Sequence, residues 1–340
     1  MNRARVVLVG LLLVASAMGC VMAEDNPTRL RDLRVIGMRF EPPEVLMQGC
    51  DARLLLGSLA GAGAADGGSI TVPPQFQLLI GLYAATPLKF EALIADPSGG
   101  GRDLNYRLLG CANRGDRNCD NEGDYVLLEE GITKGGVLST TVAPGIQFLN
   151  DGTSDAGTPL LIEVIQQDTF KGLGGIRVPV VLELSAPDTG EKIYAQKLMV
   201  YTCQFFPTMT QNVTPRLPGV LFNKVPWGAD ELIEIRGRSE WEMVPEDFTA
   251  LEEPYVVPTI QLKPLELVES WKVTWMTSSG TMSPYTTGGT DFVGTTGRHR
   301  AVWMPDQISN EPTDVTFHIV VRDGRGGSSW LTRFVKWYPE

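Results

Sequence analysis

The chain has 340 residues, of which 43% are hydrophobic and 20% charged, a composition that buries a core and excludes global disorder. Its formal net charge of −11 argues against binding nucleic acid or anionic lipid through a basic face. The 37 glycines and 23 prolines punctuate the chain too densely for long helices and favour short strands and turns.

The first twenty residues read as an export signal. Met1-Asn-Arg-Ala-Arg5 is basic, Val6 to Val14 is almost wholly apolar, and Ala17-Met-Gly-Cys20 places a cysteine after small residues. The apolar run is too short to span a bilayer, which takes about 20 residues. The expectation is a signal peptide over 1–19, removed on export, with Cys20 as the lipidated residue of an outer membrane lipoprotein. Two acyl groups and a third amide-linked chain would make that attachment stable. Val21, in place of Asp, tips the expected address toward the outer membrane, at its periplasmic face or the cell surface. A second cut, after Val21-Met-Ala23, would discard Cys20 and release a secreted protein.

Residues 20–32 are read as anchor and linker, and an N-terminal domain is expected over 33–205. Leu33, Val35 and Phe40 form a strand stopped by Glu41-Pro-Pro43, which suits a sheet edge. Gly57 to Ser69 is a loop of small residues. Strands are expected at Phe76 to Tyr83, Leu88 to Ile94, Tyr106 to Leu109, Val137 to Val142 and Gln147 to Leu149. One helix is expected, where Leu160, Leu161, Val164, Ile165 and Asp168 follow a Thr158-Pro159 cap, with Gly172 to Gly175 breaking it. Ile176 to Leu184 and Tyr194 to Tyr201 form a hairpin about Asp188-Thr-Gly190.

A proline-rich joint over 206–219 leads to a second domain over 220–340. Val220, Phe222, Leu232, Ile233 and Ile235 open it, and Glu240 to Pro258 reads as an acidic loop. Strands follow at Ser270 to Met276, Ala301 to Trp303, Val315 to Val321 and Trp330 to Trp337. In Val315 to Val321 the period is two, so Val315, Phe317, Ile319 and Val321 should face a core beside Trp275 or Trp303, while Thr316 and His318 face away. Asp323 to Gly327 supplies the hairpin turn. The expected fold class is all-β: two immunoglobulin-like β-sandwiches, the first with loop insertions and one short helix.

Trp271-Lys-Val-Thr-Trp275, Ser279-Gly-Thr281, Ala301-Val-Trp303 and Val315 to Trp330 resemble the C-terminal domain of cell-surface lipoproteins of the myxobacterial type. Leu33 to Val45, Ala92 to Pro97 and the Cys111 and Cys119 pair resemble the N-terminal half of the same proteins. The second domain also resembles polycystic-kidney-disease and bacterial Ig-like repeats. The resemblance implies a fold and a location, and brings no catalytic residues with it.

Beyond Cys20 stand Cys50, Cys111, Cys119 and Cys203, an even count that reads as two disulfides with three connectivities. The short Cys111–Cys119 loop is the preferred pair, leaving Cys50 with Cys203. Oxygen side chains at Asp116, Asn118, Asp120 and Asp124 match the alternate spacing of calcium loops and resemble thrombospondin type 3 repeats. Asn118 and Asn121 depart from that pattern, so a calcium loop and a solvated acidic loop both stand as readings; no other cofactor is expected.

Catalysis by a nucleophile and base needs a placed histidine, and only His299 and His318 exist. A solvated or cross-strand role is expected for both. No G-x-S-x-G, H-E-x-x-H or P-loop motif is present, and Glu129-Glu130 and Glu252-Glu253 read as solvated acids. The expectation is a non-enzyme: a lipid-anchored module that binds an envelope protein or glycan and no nucleic acid. A structural spacer is the alternative, and a secreted hydrolase ranks last. The loops from Asn113 to Asp124, Glu240 to Glu253 and Ser283 to Gly297 are the candidate contact surfaces.

Overall fold

A computed structural model describes residues 28–49, 81–83, 85–112, 119, 125–143, 164, 165, 167, 174–289 and 299–340. Among them the chain forms twenty strands; helical residues are confined to 81–83, to Val164, Ile165 and Gln167, and to the 3-10 turn Thr249–Leu251. The chain is all-β, in two sandwiches.

The first sandwich comprises β1 (Arg34–Glu41), β2 (Glu44–Met47), β3 (Leu88–Ala95), β4 (Leu104–Cys111), β5 (Tyr125–Thr133), β6 (Gly136–Val142), β7 (Ile176–Ser185) and β8 (Lys192–Cys203). Its sheets run β1-β3-β6 and β2-β8-β7-β4-β5. Pro42 and Pro43 cannot donate to a ladder, so the chain breaks there and changes sheets: β1 pairs antiparallel with β3, whereas β2 pairs parallel with β8. Both strands are sheet edges, as the prolines lead one to expect. Central β7 is apolar on both faces. Val178, Val180, Leu182 and Leu184 enter the main core with Phe40, Phe90 and Met47, while Val181 packs on Leu109 and the cysteines on the other side. Val164 and Ile165, in the expected helix, are helical and buried in that core.

The second sandwich comprises β9 (Val220–Phe222), β10 (Val225–Pro226), β11 (Leu232–Arg236), β12 (Trp241–Pro245), β13 (Pro254–Pro258), β14 (Pro264–Val268), β15 (Lys272–Thr277), β16 (Thr281–Ser283), β17 (Thr286–Gly288), β18 (Ala301–Met304), β19 (Thr313–Arg322) and β20 (Ser328–Tyr338). Two five-stranded sheets, β10-β9-β12-β18-β16 and β11-β20-β19-β15-β17, enclose its core, and β13-β14 stands apart as a two-stranded sheet. Trp275, Trp303 and Trp337 are fully buried, and each indole N–H has an acceptor: Thr287 Oγ1 at 2.9 Å, the Ser279 carbonyl at 2.9 Å and the Gly237 carbonyl at 2.7 Å. Phe317 points inward, its ring 5.2 Å from Trp303 and 5.5 Å from Trp227.

The sandwiches meet outer face to outer face. β3 places Leu88, Phe90, Ala92 and Ile94 in the first core, and the opposite parity, Leu93 and Ala95, joins Leu30, Ile36, Met276, Val320 and Trp330 in a separate apolar seam. Gly37 admits the Trp330 ring: a Cβ there would stand 3.2 Å from it. Arg39, paired with Glu91, covers the same indole at 4.6 Å. The proline-rich joint is part of the seam, with Asn212 Nδ2 donating to Asp323 at 2.8 Å and Thr214 Oγ1 to Glu41 at 2.7 Å. Thr28 to Leu30, at the end of the expected linker, dock on the second sandwich: Leu30 N–H donates to the Thr277 carbonyl and Thr277 N–H to the Thr28 carbonyl, each at 2.8 Å.

Three sequence expectations need correction. Residues 81–83, at the end of the expected strand from Phe76, are helical, and 76–80 lie outside the described residues. Glu240 to Pro258 is not a loop, for it carries β12 and β13. Its acids mask an alternation in which Met243 and Pro245 are buried while Glu242 points out to Arg300 at 2.7 Å. Ser283 to Gly297 contains β17, and residues 290–298 lie outside the described set, as do Gly57 to Ser69 and Gln147 to Leu149.

Candidate functional site

The β19–β20 turn builds the most polar part of the seam. Asp323 accepts the N–H groups of Arg325, Gly326 and Gly327 at 2.7–3.1 Å, which fixes a tight loop with left-handed backbone at Gly324 and Gly326. That loop drives Arg325 against the first sandwich. Its guanidinium lies 3.3 Å from Glu269 and 3.5 Å from Glu44, donates to the Thr210 carbonyl at 3.4 Å, and sits 4.4 Å over the Tyr255 ring. Burial raises both carboxyl pKa values. For Glu44 it outweighs Arg325 and a hydrogen bond from Thr202; for Glu269 it outweighs the hydrogen bonds from Trp271 and Glu253. Lys197, half-buried near Asp323, donates to the Gly326 carbonyl at 2.5 Å, and desolvation lowers its pKa to about 8.

A cavity of about 210 Å³ opens on this network, lined by Glu44, Arg177, Thr202, Thr210, Tyr255 and Arg325 among others. It combines donors, one carboxylate and an aromatic ring, a set suited to holding a small polar group. Tyr255 brings β13 against the first sandwich, which leaves β14 as the outer strand of the hairpin.

All five β14 residues are exposed, including Leu265, Leu267 and Val268. The backbone parity of this hairpin follows from its closing bonds, Glu269 N–H to Glu253 and Thr259 N–H to Lys263. Residues 253, 255, 257 and 259 therefore face 269, 267, 265 and 263, and the even-numbered residues turn their backbone groups outward. On β13 two of those outward positions are Pro254 and Pro258, which have no N–H. On β14 only Pro264 is blocked, and Glu266 and Val268 present both N–H and C=O on an edge that pairs with no strand among the described residues.

The sequence-derived candidates are distributed differently. Cys111 and Cys119 form a disulfide with Cα atoms 6.0 Å apart, within the normal span. Cys203 is disulfide-bonded, and Cys50, its expected partner, lies outside the described residues, as does Cys20. Asp116, Asn118, Asp120 and Asp124 are likewise outside them, with the rest of the Asn113 to Asp124 loop except Cys119. His318 is cross-strand, its Nδ1 3.2 Å from Thr332 Oγ1, and the face it shares with Val320 is covered by the first sandwich, so burial lowers its pKa to about 4. It is not solvated. His299 packs its ring edge-on to Phe248 at 4.6 Å. Sequence reasoning missed Glu44, Arg177, Tyr255, Glu269 and Arg325. The one available signal was an arginine at the tip of a glycine-rich turn.

Among the described residues no helix is long and apolar enough to cross a membrane. No family model matches the chain, and no curated protein matches it. Solved structures do. A dimeric latent PorU from Porphyromonas gingivalis matches 90% of the chain at 8% identity and a TM-score of 0.21, and the chain covers only 24% of its length. The fibronectin(III)-like modules of CbhA from Clostridium thermocellum match 75% of the chain at 8% identity, with 85% of their own length covered and a TM-score of 0.19. The YadV chaperone matches 89% at 9% identity, with 100% of its length covered and a TM-score of 0.23. At such scores the fold assignment rests on the strand order itself.

Proposed function

We propose that this chain is an exported, lipid-anchored protein of the outer cell envelope that works by contact and performs no catalysis. The observation that supports contact is the β14 edge, whose outward backbone groups have no partner among the described residues and, with exposed Leu265, Leu267 and Val268, suit the addition of an extended segment from another envelope protein. The seam holds the hairpin in place from behind through Tyr255 and Arg325. Glu266, with Glu252 and Glu253 beside the hairpin, favours a segment that alternates apolar and basic residues. Export and anchoring rest on the basic, apolar and Gly19-Cys20 order of the leader. Calcium at Asp116, Asn118, Asp120 and Asp124 rests on their spacing alone.

Glu266→Pro tests the contact. It removes one outward N–H from a face on which Pro254, Pro258 and Pro264 already lack theirs, so the hairpin should persist. Envelope extract is passed over the immobilised Cys20→Ser protein, and cross-linked partners are compared with those of Glu266→Pro at matched melting temperature. Loss of a specific partner in the variant supports the proposal. Equal capture removes the β14 edge from it, and no capture by either form favours the spacer.

A further inference from the structure

The path of the N-terminal segment orients the molecule. Thr28 is eight residues on from Cys20, so the intervening chain spans at most about 29 Å even when fully extended. A chain of this length folds to a body roughly 50 Å across, so whichever end holds Thr28 must face the surface that holds Cys20. Thr28 to Leu30 pair with Thr277 at the C-terminal end of β15, and Thr28 Oγ1 also accepts the Met282 N–H at 3.2 Å.

Beside this clip stands a braced loop with an exposed apolar tip. Arg29 pairs with Asp306 at 3.2 Å, and Asp306 Oδ1 accepts the Ile308 N–H at 3.0 Å. Arg238 holds the same loop from behind, donating to the carbonyls of Asp306 and Ser309 and to Asn310 Oδ1 at 2.9–3.1 Å. Ile308 is thereby held 88% exposed, the largest exposure of any bulky apolar residue among those described. Ile260, 76% exposed, lies at the tip of β13–β14, a hairpin whose base is bonded to Trp271 at the opposite, Lys272 end of β15.

We propose that the loop 305–311 is the membrane-facing end of the protein and that Ile308 rests in the lipid interface, with the β14 edge directed away from the bilayer. The proposal builds on the lipid anchor at Cys20. The short tether and the braced loop agree on one surface, and a lipid interface is the occupant that the tether delivers. Insertion of one side chain orients the protein; the acyl chains hold it.

The test uses the full-length lipidated protein in vesicles of phosphatidylethanolamine and phosphatidylcholine, with Ile308→Cys and Ile260→Cys each carrying an environment-sensitive fluorophore, attached without reductant. The expected result is a blue shift at position 308 and quenching there by lipid-borne spin labels several-fold stronger than at 260. Equal, weak quenching at both positions in protein that floats with the vesicles overturns the orientation and leaves the anchor standing. Failure of the wild-type protein to float, like Cys20→Ser, overturns the anchor and the orientation with it.

Discussion

Arg325→Met probes the seam where its electrostatics are most exacting. The substitution keeps an apolar stem against Tyr255 and removes the charge between Glu44 and Glu269, whose side chains are 8% and 1% exposed. Breaking a buried pair by removing one partner costs about 3–5 kcal/mol, because the remaining charge is left without compensation. Both carboxyls already have raised pKa values in the fold. The folded state therefore binds more protons than the unfolded chain from the ordinary carboxylate range upward, and stability falls as pH rises through that window. Without Arg325 the two pKa values rise further and the fall steepens. Urea unfolding of wild type and variant at pH 5 and pH 7.5 should show a larger loss at the higher pH, and adding Glu44→Gln should restore part of it. A loss under about 1 kcal/mol with the same pH dependence as wild type would mean that Arg325 is solvated and that the seam is wrongly described.

Phe317→Ala, emptying the space between Trp227 and Trp303, should cost about 3–5 kcal/mol in chemical unfolding; a loss under 1 kcal/mol would deny Phe317 its core position. Gly37→Val forces atoms into the Trp330 ring and should cost about 1–3 kcal/mol, with a larger radius of gyration by small-angle scattering as the sandwiches part. The same radius and melting temperature as wild type would count against the outer-face packing. His318 is held neutral with its pKa near 4, so its contribution is present above the unfolded value of about 6.5 and is lost as pH falls from there toward 4. His318→Asn should flatten that part of the stability profile, and an unaltered profile would place the ring in solvent. Removing the Cys111–Cys119 loop constraint with Cys111→Ser and Cys119→Ser should cost roughly 2–3 kcal/mol, read as a lower urea midpoint.

Much of the strand pattern was legible because it is local. Val315 to Val321 announced its buried face by period two, and Asp188-Thr-Gly190 announced the β7–β8 turn by residues that tolerate its backbone. The seam was not legible, because it joins residues that are far apart in the chain. Its traces were present: Ala92 to Ala95 and Ile319 to Val321 break alternation, which is what a strand does when its second face is also covered. They could not say what covers it. Glu240 to Pro258 went unrecognised for the opposite reason, since its outward acids hid the inward Met243 and Pro245. In the sequence Arg325 reads with its glycines only as a turn, because nothing in Asp-Gly-Arg-Gly-Gly reveals that its side chain meets Glu44. The β14 edge needed the parity of the hairpin, which depends on which residues pair.

The proposed lipid anchor underlies both the proposed envelope location and the proposed orientation, and the intact mass of the mature protein extracted from its native envelope tests it most directly. The account predicts a chain beginning at Cys20 and carrying a diacylglyceryl thioether with an amide-linked acyl group. A mass matching an unmodified chain that begins at Glu24 would contradict it.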